Sequence, residues 1–360
     1  MAKDSELLRG SALLEQKELR QVPQSVCSVS CTPGFHKVLR EGQPACCYDC
    51  VPCADGEITN GTDLSVCLKC GEDAWSNEVK NMCIPRAIDF LSYEEPMGAT
   101  LASISAVLSL LTLIILCIFS IHRDTPIVRA NNRDLSYLLL VSLMLCFLCP
   151  FLFIGRPSRW TCLLRQITFG LVFSLSISCI LAKTLTVIVA FKATKPNSSL
   201  KKWFGTRTSI YLIIFCTMFQ LIICTMWLST KPPYSGVNAS SSLKIIIQCY
   251  EGSVLLFCFM LGYMGFLAGF SFILAFLSRN LPDSFNEARH ITFSLLVFVS
   301  VWLSFIPAYL STQGKNMVSV EVFAILASSS GLLACIFLPK VYIILLRPDM
   351  NSKSYLLNKK

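Results

Sequence analysis

Charge is scarce in this sequence. Only 15% of its 360 residues are Asp, Glu, Lys or Arg, and 54% are apolar. Mean hydropathy is +0.60. A soluble domain carries about 25% charge, so the bilayer has to be taken as the solvent. Histidine is nearly missing: His36, His122 and His290 are the three in the chain, each read as a surface or interfacial residue. No Gly-rich phosphate loop, His-Glu-x-x-His zinc site or Gly-x-Ser-x-Gly elbow occurs, so neither enzyme chemistry nor a cofactor or metal is expected. The central parts of the apolar stretches hold almost no charge and show no repeats, which argues against a transporter or channel. Residues Met1 to about Arg20 lack the apolar core of a secretory signal. Either the first membrane helix acts as an uncleaved anchor, or the sequence is a fragment of a longer chain, the reading favoured by the cysteine count below.

What is abundant is long apolar sequence. Stretches of about 20 residues, the length that crosses a bilayer, occur seven times: Met97–Ile121, Asp134–Ile154, Thr161–Phe191, Thr208–Leu228, Gly252–Leu277, His290–Leu310 and Ser319–Leu346. Lys and Arg are retained in cytoplasmic loops during insertion. With the N-terminus outside, fifteen of them fall on the inner loops and tail, including Lys201, Lys202, Arg279, Arg289, Lys340 and Arg347, against five outside. The sequence therefore predicts a multi-pass plasma-membrane protein with its N-terminus outside and its C-terminus in the cytoplasm. The net charge of +9 is accounted for by the inner loops and tail without invoking nucleic acid.

Nine of the 19 cysteines fall between Cys27 and Cys83, in a stretch rich in Gly, Pro, Asp and Asn. So small a segment cannot build a sufficient apolar core and needs covalent staples. Cys50-x2-Cys53 followed by Cys67-x2-Cys70 also has nearly the spacing of a zinc ribbon, but an oxidising exterior and a glycosylation sequon at Asn60 favour disulfides. A second sequon, at Asn238, lies outside, whereas Asn197 matches the pattern on the cytoplasmic side and is expected to stay unmodified. Nine is odd, so one cysteine stays free or bridges out of the block. Cys162 opens the third helix and Cys249 closes the second outer loop, which places them at one depth and predicts a bond. The other cysteines sit in apolar helices and are read as small buried hydrophobes.

Several runs together resemble the class C G-protein-coupled receptors, and within them the vomeronasal type-2 receptors, with the calcium-sensing receptor as a near relative. They are the nine-cysteine block, Cys162-Leu-Leu-Arg165-Gln166, Phe191-Lys-Ala-Thr-Lys-Pro196, Cys249-Tyr-Glu-Gly-Ser253, Leu281-Pro-Asp-Ser-Phe-Asn-Glu-Ala288, Trp302-Leu-Ser-Phe-Ile-Pro-Ala-Tyr309, Val320-Glu-Val322 and the run from Pro339 to Pro348. The resemblance covers about Gln24 to Asn351. It implies an all-α membrane bundle of seven transmembrane helices (97–346) behind a small disulfide-rich β module (24–86). A polar segment (1–23), a linker (87–96) and a cytoplasmic tail (347–360) complete the chain. It further implies the pairs Cys27–Cys47, Cys31–Cys50, Cys53–Cys67 and Cys70–Cys83, with Cys46 left to bridge an upstream flytrap domain that this sequence lacks. The implied partners are a heterotrimeric G protein and a homo- or heterodimeric class C relative. A truncated, non-signalling modulator of a full-length relative is the alternative.

Ionisable residues at membrane depth are costly and read as functional. Lys183 lies 22 residues into the third helix, about 33 Å along it and near the inner face. Glu287, before the sixth helix on the same side, can pair with it, and the resemblance implies an ionic lock at these positions. A lysine reaching alone to the headgroups is the plainer alternative. Towards the outer end, Arg165, Phe169 and Phe173 share one face of the third helix, and Trp302, Phe305 and Tyr309 one face of the sixth, with Pro307 among them. Such stripes are often packing alone, but with Glu321 they match the family's allosteric pocket. Lys201 and Lys202 in the second inner loop and Phe285 in the third are the candidate G-protein surface.

Overall fold

The computed structural model describes residues 27–192, 206–238, 244–279 and 287–351. The chain divides into two compact units, one of which holds the cysteine block.

That block is a ladder of three short antiparallel hairpins: β1 (Phe35–Leu39) with β2 (Tyr48–Pro52), β3 (Glu57–Ile58) with β4 (Leu68–Lys69), and β5 (Ala74–Ser76) with β6 (Cys83–Pro85). Strands of two to five residues cannot hold themselves together. Bonds Cys31–Cys50, Cys53–Cys67 and Cys70–Cys83 staple them. All four cysteines of the ribbon-like spacing are therefore spoken for by disulfides. Polar pins do the rest. The fully buried Thr59 accepts from Gly34 N at 2.7 Å and donates to Phe35 O. Asp63 accepts from Cys31 N at 2.9 Å and from Tyr48 OH. Gly34 has φ +100, and a Cβ there would sit 2.1 Å from Val79 O, so no other residue fits.

One implied bond is not formed. Cys27, Cys46 and Cys47 are all unbonded. Cys27 Sγ lies 2.8 Å from Cys46 Sγ, so the thiol expected to pair with Cys47 faces its neighbour instead. Two adjacent cysteines on one turn present two thiols to a single partner, and spacing cannot say which one Cys27 meets.

Among the described residues of the second unit, seven spans are long and apolar enough to cross a membrane: α1 (Pro96–Ile121), α2 (Arg133–Leu148) together with the turn that carries it on to Phe153, α3 (Arg159–Lys192), α4 (Thr206–Thr230), α5 (Val254–Ser278), α6 (Glu287–Ser311) and α7 (Lys315–Leu346). Their ends follow local chemistry. Pro96 opens α1, where its missing N–H costs nothing. The Ser253 hydroxyl caps α5 by accepting from Leu256 N, and Gly314 at φ +65 turns the chain into α7. The single stretch expected for the second helix is broken, because Pro150 cannot continue α2 and starts a separate turn, Pro150–Phe153. Helices α6 and α7 begin three and four residues earlier than their apolar windows, since a first helical turn tolerates polar residues that a hydropathy count discards.

Helix α3 is the axis of the bundle: 67% of its window is buried, against 22% for α1 and α6. It packs on α2, α4, α5 and α6, while α7 packs on α6, α1 and α2. Between α4 and α5 an antiparallel hairpin, β7 (Tyr234–Asn238) and β8 (Lys244–Tyr250), is fixed to α3 by Cys162–Cys249. Lipid gives helices no hydrophobic reason to associate, so contacts come from small and hydroxylic side chains. Ser105 donates to Phe147 O, joining α1 to α2, and Ser176 to Ser142 Oγ at 3.0 Å, joining α3 to α2. A Cβ on Gly331 would come within 2.7 Å of Val297 Cγ1, so α6 and α7 approach as closely as glycine allows. Cys117 and Cys258 lie on the outside of the bundle, whereas Cys146, Cys149, Cys179, Cys216 and Cys224 are buried. Membrane helices have two apolar environments, which is why hydropathy did not separate the two sets.

The segment entering α1 is pinned along its length. Leu91 is buried and its carbonyl accepts from Gly155 N at 2.8 Å. Tyr93 OH donates to Phe151 O. Lys315, the first residue of α7, contacts both Asp89 at 3.0 Å and Glu95 at 2.8 Å.

Candidate functional site

Two polar layers lie inside the helical bundle. The one nearer the hairpin is built on aromatic rings. Phe169 and Phe173 on α3 meet at a tilt, 4.9 Å between centroids, and reach Trp302 of α6 at 5.6 and 5.8 Å. Trp302 leads on to Phe305 and Phe305 to Tyr309, 5.2 Å each. One ladder of rings thus bridges α3 and α6. Gln166, Phe169, Trp302, Phe305 and Glu321 line a void of about 10 Å³, room for the centre of roughly one water.

Arg165, 3% exposed, stands beside this void with its guanidinium 5.3 Å from the Phe153 ring. Tyr309 reaches past it to donate to Glu251 Oε1 at 2.6 Å, while the Glu251 carbonyl accepts from Trp227 Nε1. Phe173 lines a separate groove between α5 and α6. Among the described residues, Arg165 Nε, Trp302 Nε1 and Glu321 Oε2 are buried without a hydrogen-bond partner. Native proteins leave few such atoms, and three of those here fall in this one layer. Phe298 belongs to the cluster at 6.2 Å from Phe173. The spacing of four before Trp302 could have found it. Glu251 sat in the Cys249–Ser253 run with no sign of its partner.

The opposite layer is ionic. Lys183 Nζ of α3 lies 3.0 Å from Glu287 Oε1 of α6, and Lys340 Nζ of α7 lies 2.9 Å from the same oxygen. Lys183 also donates to the Asn131 carbonyl at 2.8 Å, between α1 and α2. Exposures of 1%, 4% and 2% for Lys183, Glu287 and Lys340 show that none is solvated, so the lone-lysine alternative does not describe this geometry. Lys340 was counted among the cations of the inner loops and tail. It lies instead within α7 and is the third member of the cluster, because burial there is a product of packing that charge counting does not see. Lys201, Lys202 and Phe285 lie outside the described residues. Asn60 is exposed just after β3, and the side chain of Asn238, at the end of β7, lies outside the described set.

The order of these parts, a disulfide-laddered module and then seven spanning helices, is shared with known proteins. Residues 91–340 match the family described as "7 transmembrane sweet-taste receptor of 3 GCPR" and residues 22–76 the "Nine Cysteines Domain of family 3 GPCR". The chain belongs to family 3, or class C, of the G-protein-coupled receptors, a family of multi-pass membrane receptors and not of enzymes. It is 55% identical over 338 residues to vomeronasal type-2 receptor 26 of Mus musculus, covering 94% of this chain and 40% of that protein. To the extracellular calcium-sensing receptor of Homo sapiens it is 50% identical over 334 residues, covering 92% of this chain and 31% of that one. The chain therefore spans two fifths or less of the length of these curated relatives.

Proposed function

We propose that the chain is the signal-transmitting core of a chemosensory receptor, coupling an extracellular cue to a heterotrimeric G protein across the plasma membrane. Its N-terminus and the β7–β8 hairpin face outward. The ionic layer sits at the cytoplasmic mouth, and Lys201, Lys202 and Phe285 are read as the G-protein surface. The observation that carries this reading is the tie of three helices through one buried carboxylate. A receptor must be bistable, and a charged knot across α3, α6 and α7 stabilises one packing of the inner mouth over another. In this reading the Arg165–Glu321 aromatic layer is an allosteric ligand pocket, where an amphiphile bridging Trp302 and Glu321 would bias the same helices. The chain works as a dimer with itself or a class C relative, and likeness to vomeronasal type-2 receptors supports a chemosensory cue.

The test is basal G-protein activation in membranes by wild type, Glu287→Ala and Lys183→Ala, with surface expression measured in parallel. Basal activity is expected to rise in both variants. Unchanged signalling in both at equal surface levels would remove the lock. Silence from all three would favour a non-signalling partner of a full-length relative.

A further inference from the structure

A second feature lies on the outside of the bundle at the same end as the ionic layer. Between the last turn of α5 and the first turns of α6 is a cavity of about 400 Å³ lined by Phe272, Phe276, Arg279, Arg289, Thr292 and Phe293, with Leu296. We propose that this groove binds an anionic phospholipid, its phosphate held by Arg279 and Arg289 and an acyl chain laid along the phenylalanines. The inference is independent of what activity the bundle carries.

Four observations converge on it. First, the cavity opens on the lipid-facing surface: Phe293 is 61% exposed and Leu296 49%, and its size falls within the ~300–1,000 Å³ of pockets that enclose small organic ligands. Second, its chemistry is graded as a lipid is graded. The two arginines end α5 and begin α6, at the level where a spanning helix leaves the hydrocarbon, and the aromatic residues lie deeper along both helices. Third, among the described residues no acidic side chain lines it and neither guanidinium makes an ion pair. Glu287 cannot neutralise Arg289, because residues two apart on a helix point to opposite sides, and its carboxylate is turned inward to Lys183 and Lys340.

Fourth, Arg279 is held for the purpose. Its guanidinium lies 3.6 Å from the Phe276 ring centroid. A stacked guanidinium keeps its N–H edges free in the plane, the geometry that meets two phosphate oxygens at once. The preference for cations in cytoplasmic loops explains why arginines occur at this end, but not why two of them share one apolar-floored groove. Basic pockets between membrane helices are a recurring mode of headgroup recognition.

The test uses the full chain in phosphatidylcholine nanodiscs containing a small fraction of phosphatidylserine with a photoactivatable acyl chain, the labelled peptides being mapped by mass spectrometry. Labelling is expected to concentrate in the segments Phe272–Arg279 and Arg289–Leu296. It should fall about fivefold in Arg279→Ala and in Arg289→Ala, the factor for a contact of roughly 1 kcal/mol per arginine at an anionic surface. Arg347→Ala, which removes a cation from the same end but outside the groove, should leave it unchanged. Arg279→Lys keeps the charge and serves if the alanine variant misfolds; it should retain part of the labelling. Equal labelling by a phosphatidylcholine probe, an equal loss in Arg347→Ala, or displacement of the lipid by inorganic phosphate would each overturn the proposal: the first two reduce it to bulk attraction, the third to a free-anion site.

Discussion

At the scale of single residues, the molecule concentrates its cost in Glu287. One carboxylate oxygen meets two ammonium groups within 3.0 Å, all of them buried. Removing the shared partner of a buried ion cluster strands the others, which costs ~3–5 kcal/mol. Glu287→Ala is accordingly expected to destabilise the solubilised protein by that amount, whereas Lys340→Met, which keeps volume and leaves the Lys183–Glu287 pair, should cost well under half as much; thermal unfolding in detergent compares them. Lys183 and Glu287 were legible because helical rise alone places both near one membrane face. Lys340 was not, because nothing local separates a lysine that ends a span from one that is swallowed by it. In the cysteine module, the carboxyl of Asp63 is held below its ordinary value of 3.8 by the backbone N–H of Cys31, against desolvation, with Lys37 adding to the effect. A depressed folded pKa means that the stabilisation is present above the unfolded value and is lost as pH falls through the folded one. Hydrogen exchange at the Cys31 amide, corrected for intrinsic rate, should therefore accelerate as pH drops below about 4, and Asp63→Asn should abolish that dependence.

At the scale of elements, seven helices could be read directly, since a run of about 20 apolar residues has no other stable home. Their ends could not: Pro150 restarts the chain after α2, and the polar first turns of α6 and α7 are helical because packing and the ion pairs of Glu287 and Lys315, not hydropathy, decide there. The pairing of α6 with α7 was equally hidden, resting on a glycine that looks like any other in a membrane helix. Gly331→Ala puts a methyl 2.7 Å from Val297 Cγ1 and should cost ~1–3 kcal/mol by overpacking. Val297→Ala in the same chain should restore most of the loss, an outcome that a general intolerance of substitution at position 331 would not give. The hairpin can be tested separately. Replacing Cys162 and Cys249 by serine opens a loop of 87 residues and is expected to cost ~2–4 kcal/mol, with hydrogen exchange rising in β7 and β8 before it rises in α3.

At the scale of the whole molecule, the bundle is glued by serine hydroxyls, each worth only about 0.6 kcal/mol in a membrane, so its packing is the sum of many small terms with one large ionic term at one end. The orientation given to it makes a separate prediction: in cells, Asn60 should carry an N-linked glycan and Asn197 should not. Glycosidase treatment should shift the wild type and Asn197→Gln alike, while Asn60→Gln should lose the part of the shift that belongs to that site; modification at Asn197 would invert the topology.

The double contact of Lys315 gives the segment before α1 a mechanical property. With Leu91, Tyr93 and both acids fastened, residues 88–95 have almost no slack, so a displacement delivered at Ile88 cannot be absorbed as it would be in a loose tether. It is passed on as force, and Lys315 delivers part of it to the first turn of α7. Glu321 lies six residues further along that rod, and Lys340 rides on the same helix at its far end. A tug at the entry to the membrane is thereby put in series with a helix that carries one residue of each polar layer.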